Sequence, residues 1–138
     1  MLRLVTGGSC SGKSAFAEKL AIEEKKKHPA GTLYYVATMV PYDEECQERI
    51  RRHRRMRKDK DFVTRECHTD LSSLTAEKED VFLIECLSNL LANEMYEKTG
   101  RLQEKSSAPS CVEEVIAAPV RRLAGQCAAV IVVTNEVF

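Results

Sequence analysis

Gly7-Gly8-Ser9-Cys10-Ser11-Gly12-Lys13-Ser14 fills every fixed position of the pattern G-x-x-x-x-G-K-[ST]. An apolar run over residues 2–5 precedes it, and a helical pattern over residues 15–27 follows. Strand, glycine-rich loop and helix, in that order, give the pattern a mechanism. Backbone N–H groups of such a loop, with the helix N-terminus behind them, attract polyphosphate. Lys13 is then placed to reach the β- and γ-phosphates, and Ser14 to offer its hydroxyl to Mg²⁺. The stretch predicts a site for a nucleoside triphosphate.

The bulk numbers bound the rest. A length of 138 residues predicts one domain over residues 1–138. Basic and acidic side chains balance at 21 each, so charge supplies no argument for a nucleic-acid partner or a membrane surface. No stretch is long and apolar enough for a membrane span, and no signal-peptide pattern opens the chain. The expected location is the cytoplasm. The six cysteines form no C-x-x-C pair and no zinc-finger spacing with histidine, so they read as small hydrophobes or incidental thiols. Cys10 stands where the loop pattern tolerates any residue.

Outward from the loop, the pattern predicts strands over residues 2–6, 32–37, 81–84 and 128–134. Helices are expected over residues 14–27, 41–58, 87–98 and 111–126. In the first, Phe16, Leu20 and neighbouring alanines share a face. The last is amphipathic, with a bend expected at Pro119. Residues 99–110 read as a loop. Near-continuously apolar strands alternating with helices predict an α/β fold with a parallel sheet covered on both faces. Ligands of such sheets bind at the carboxyl ends of the strands. The phosphate loop, the segment after Val36, Glu85 and Asn135-Glu136 all fall at that edge.

Two features there carry chemistry. Glu85 ends an apolar strand, where a carboxylate can hold Mg²⁺ directly or through water. An N-cap or first-turn acid of the following helix is the alternative. The run Arg49-Ile50-Arg51-Arg52-His53-Arg54-Arg55-Met56-Arg57 puts Arg49, His53 and Arg57 on one helical face. A neutral imidazole there is a nucleophile toward an α-phosphorus, and guanidinium groups clamp phosphate bidentately. A solvated basic helix and a nucleic-acid-binding helix are the alternatives. The second lacks interleaved aromatics and an overall basic charge.

The ordered set of segments resembles the bifunctional adenosylcobinamide kinase / adenosylcobinamide-phosphate guanylyltransferase family of cobalamin synthesis. The matching pieces are L-V-T-G-G-S-C-S-G-K-S, Y-V-A-T, E-R-I-R-R-H-R, T-R-E-C around Glu66, L-I-E-C-L-S-N-L-L-A-N around Glu85, and V-V-T-N-E-V. They span nearly the whole chain. The resemblance implies a P-loop NTPase fold, RecA-like, with a mostly parallel sheet and helices on both faces. It implies two reactions. A nucleoside triphosphate, ATP or GTP, phosphorylates adenosylcobinamide. GMP then passes from GTP, through a guanylylated histidine, to adenosylcobinamide phosphate.

The family's histidine falls on His53, which with Lys13 makes the catalytic pair. Nucleotide contacts fall on residues 7–14, on Ala37, Thr38 and Met39, on Arg54, Arg55, Met56 and Arg57, and on Glu66 and Glu85. Ser14 and Glu85 would serve Mg²⁺. A corrinoid substrate and a homo-oligomer with the site near a subunit boundary are also implied. The family pattern continues past T-N-E-V with a final βα unit that this chain lacks, so an exposed strand edge is expected. Another P-loop small-molecule kinase, with no need of His53, and an inactive nucleotide-binding remnant are the competing readings.

Overall fold

The computed structural model describes residues 1–8, 11–102 and 111–135. Ser9, Cys10 and Glu136, singled out above, lie outside them, as does most of the loop expected before residue 111. In chain order the elements are β1 (Leu2–Gly7), α1 (Lys13–Lys27), β2 (Leu33–Ala37), α2 (Glu44–Arg57), β3 (Phe62–Glu66), β4 (Val81–Glu85), α3 (Leu87–Tyr96), α4 (Ala118–Gln126) and β5 (Ala129–Asn135). The sheet order is β1-β5-β4-β2-β3, and every neighbouring pair is parallel. The α/β architecture is thus the expected one.

Parallel pairing requires crossovers, and the helices that make them cover both faces of the sheet. Strand alternation divides the core accordingly. Phe82, Ile84, Val130 and Val132 point to one face, where they meet Leu90 of α3 and Val120 and Leu123 of α4. Val81, Leu83, Ile131 and Val133 point to the other, against Ala17 and Ala21 of α1. The central strand β4 is apolar and fully buried from Val81 to Ile84 because it is covered twice.

Three expectations need correction. β3 was not expected as a strand. Only Phe62 and Arg65 of it are even half-buried, so it lacks the apolar run of the inner strands. Pairing with β2 and the Arg65 guanidinium, 4.5 Å above the Tyr34 ring, hold it instead. Phe16 is not on the buried face of α1, since it is 56% exposed. The buried positions are Ala17, Glu18, Ala21 and Glu24. Small alanines let the helix approach the sheet closely, and Glu18 is neutralised there by Lys60 at 2.5 Å. The last helix is not one α-helix: a π-helical turn (Glu113–Ala117) leads into α4. Pro119 follows directly on that π-helical turn, in the first turn of α4.

Helix α2 begins at Glu44, later than expected, because the Asp43 side chain caps it by accepting from Cys46 N at 2.8 Å. At the far edge β1 buries only Val5, and leaves Leu2 and Leu4 exposed. Among the described residues no helix is long and apolar enough to cross a membrane.

Candidate active site

Strand register builds the site. Glu66 of β3, Ala37 of β2, Glu85 of β4 and Val133 of β5 stand level with one another across the sheet. Registered positions on parallel strands face the same side, which here is the side of α1. The carboxyl ends therefore deliver Glu85 to Ser14 at the N-terminal end of α1, and hold Glu66 at the same level two strands away, on the edge strand β3.

The loop is shaped by glycine. Gly12 caps α1 in the left-handed region at φ 81°, which an L side chain adopts only with strain. At Gly7 a Cβ would come within 2.6 Å of the Ser11 hydroxyl. Lys13 Nζ donates to Gly8 O at 3.1 Å, so its ammonium lies back over the loop. Ser14, one residue into the helix, donates a very short hydrogen bond to Glu85 Oε1. Glu85 Oε2 accepts from the Tyr35 hydroxyl at 2.9 Å. Burial, reinforced by the Glu85 carboxylate, pushes the Tyr35 phenol far above its ordinary range, so it stays a donor.

Helix α2 covers this edge. It is polar nearly all round, and Arg57 is its one buried residue. Ion pairs within the helix run from Arg51 and Arg55 to Glu48 and from Arg49 to Glu45. The two arginines hold the Glu48 carboxyl below its usual range, Arg51 foremost. Among the described residues, two side-chain contacts tie the helix to the sheet. Arg54 pairs with Glu66 at 3.2 Å, and the Arg57 guanidinium lies 3.4 Å above the Tyr35 ring. Arg57 Nε and Nη1 have no hydrogen-bond partner among the described residues, although both are buried. Buried donors of this kind normally have partners.

One cavity of about 600 Å³ joins these parts. The loop and α1 supply Ser11, Gly12, Lys13 and Ser14; the sheet supplies Ala37, Thr38, Met39, Glu66 and Glu85; α2 supplies His53, Arg54, Met56 and Arg57. Arg55 does not line it, and turns to Glu48 at 3.2 Å. Gly7 and Gly8 do not line it either. Thr38 is wholly buried: its hydroxyl donates to Cys86 O and accepts from Cys86 N, each at 2.9 Å, so its side chain braces the strand ends.

Residues not singled out from sequence also line the cavity, among them Tyr35, His68 and Asn89. Alternation along β2 places Tyr35 on the face of Ala37, a signal present in the sequence. Nothing local marks His68 or Asn89. Ser14 and Glu85 fit a hard divalent cation. Mg²⁺ takes one or two protein oxygens and completes its shell with phosphate oxygens and water. No group of three or more His, Cys, Asp or Glu that could hold a metal occurs among the described residues.

Comparison with known proteins assigns the chain to a family. A family model described as cobinamide kinase / cobinamide phosphate guanyltransferase matches residues 3–138. The bifunctional adenosylcobalamin biosynthesis protein CobU of Escherichia coli K12 is 32% identical over 143 residues, covering 99% of this chain and 76% of that protein. Its counterpart in Salmonella typhimurium LT2 is 33% identical over 144 residues, with the same coverage, 99% and 76%. The chain belongs to the cobinamide kinase / cobinamide phosphate guanyltransferase family.

Proposed function

We propose that the protein acts in cobalamin biosynthesis as both a kinase and a guanylyltransferase, with residues 1–138 working as a single P-loop nucleotide-binding domain. The observation that carries this reading is the shared cavity, which a phosphate loop lines from one side and a histidine-bearing arginine helix from the other.

In the first reaction the aminopropanol hydroxyl of adenosylcobinamide attacks the γ-phosphorus of ATP or GTP, and the nucleoside diphosphate leaves. Lys13 moves from Gly8 O to the β- and γ-phosphates, and the loop N–H groups bind the oxygens around it. Bound Mg²⁺, which Ser14 and Glu85 would hold, neutralises charge on the phosphates. Catalysis of phosphoryl transfer is largely positioning and electrostatics, and both lie in these side chains.

In the second reaction an imidazole nitrogen of His53 attacks the α-phosphorus of GTP, and pyrophosphate leaves. The phosphate of adenosylcobinamide phosphate then attacks the same phosphorus, which breaks the N–P bond, frees His53 and gives adenosylcobinamide-GDP. Arg54 and the two unpartnered donors of Arg57 are suited to phosphate oxygens through charge-assisted hydrogen bonds. A homo-oligomer with this site near a subunit boundary is part of the proposal.

The kinase half is tested by chromatography of adenosylcobinamide incubated with ATP and Mg²⁺. A phosphorylated corrinoid is expected from the unsubstituted chain and not from Lys13→Ala. Equal product from both would refute the assignment of Lys13.

A further inference from the structure

Tyr35 touches both halves of the site. Its hydroxyl donates to Glu85 Oε2 at 2.9 Å, on the carboxylate whose other oxygen receives Ser14. Its ring carries the Arg57 guanidinium at 3.4 Å and meets Phe62 edge-on at 6.1 Å between ring centroids. Tyr35 is 4% exposed, packed between these neighbours. Arg57 is the one buried residue of α2, and His53 lies one turn before it on the same face. The seat of Arg57 on Tyr35 therefore sets where His53 stands. The other tether, Arg54 to Glu66, joins two side chains that are each more than half exposed. An exposed ion pair of that kind fixes position weakly.

We propose that Tyr35 is a positioning residue that couples the two half-sites: its hydroxyl orients Glu85 toward the metal-bound phosphates, and its ring seats Arg57 and so the helix bearing His53. The inference rests on the proposed function and adds a residue to it. It makes the two arms separable. Tyr35→Phe deletes the hydroxyl and keeps the stack. Tyr35→Leu deletes both.

The test uses a fluorescent N-methylanthraniloyl GTP, titrated into the full chain at a series of Mg²⁺ concentrations, alongside the rate of GMP attachment followed by intact-mass spectrometry. For Tyr35→Phe the Mg²⁺ concentration giving half-maximal binding should rise about tenfold, the scale of a lost hydrogen bond to a charged group. Its attachment rate at saturating Mg²⁺ should fall far less than that of Tyr35→Leu, which should drop at least about tenfold through loss of the cation–π seat. A merely structural tyrosine would give the two variants proportional losses of binding and melting temperature.

Superimposable Mg²⁺ curves for Tyr35→Phe and the unsubstituted chain would overturn the proposal, and so would parallel losses. Should Tyr35→Leu not fold, the Tyr35→Phe curves decide alone. No GMP attachment in the unsubstituted chain would count against the guanylyl-transfer reading instead, and the Mg²⁺ curves would still decide the role of the hydroxyl.

Discussion

The Ser14 hydroxyl donates to Glu85 Oε1, joining residues 71 positions apart in sequence. One stands in the first turn of α1 and the other ends β4, so the hydrogen bond closes the gap between phosphate loop and sheet edge. Two oxygens brought together at the proposed polyphosphate site are a pair suited to Mg²⁺. Glu85→Gln keeps the shape and removes the charge. It should lower phosphorylation of adenosylcobinamide by about 10²–10³-fold, the scale for removing a preorganised electrostatic contact. Circular dichroism should be unchanged, and excess Mg²⁺ should restore part of the rate. Undiminished turnover would remove Glu85 from the site.

Gly12→Ala tests the loop rather than the chemistry. At φ 81° a Cβ strains the backbone by about 1–2 kcal/mol, and nothing within 4 Å obstructs it otherwise. Nucleotide affinity should fall while the sheet stays intact. Fluorescent GTP binding together with urea unfolding separates the two effects. A variant with native affinity would mean that the loop tolerates another conformation when it binds.

The core makes its own prediction. Phe82 is fully buried in β4 and stacks on Tyr34 with ring centroids 4.8 Å apart. Phe82→Ala should cost about 3–5 kcal/mol in urea unfolding, from lost transfer energy and the cavity left behind. A loss under about 1 kcal/mol would mean that the two helices on that face collapse onto the gap.

Acid should loosen α2 at its start. Hydrogen bonding to the Cys46 N–H holds Asp43 below its ordinary value of 3.8. A carboxyl depressed in the folded state stabilises fully above its unfolded value, and loses that contribution as pH falls through the folded one. The helical signal of the unsubstituted chain should therefore exceed that of Asp43→Ala at neutral pH. The gap should close below pH 3.8. A gap independent of pH would mean that the cap does not act through the charge.

Much of this was readable before the structure. The phosphate loop, the inner strands and the place of Glu85 follow from apolar runs and one motif, because buried parallel strands must be apolar on both faces. β3 escaped for the opposite reason: an edge strand buries little and shows no such run. Helical periodicity groups Phe16 with the alanines of α1, but close packing against the sheet buries Ala17 and Ala21 and leaves Phe16 outside. The burial of Glu18 and Arg57 was not legible from polarity. Their burial depends on Lys60 and Tyr35, partners that only the tertiary fold brings near. The arginine run showed that α2 is basic, but not that a single arginine anchors it.

The central claim is that His53 is the nucleophile of guanylyl transfer. The most direct measurement is intact-mass spectrometry of the chain after incubation with GTP and Mg²⁺. The account predicts a GMP-sized adduct that is lost in acid, as an N–P bond would be, and is absent from His53→Ala. An adduct that persists in His53→Ala, or none on the folded, GTP-binding chain, would contradict it.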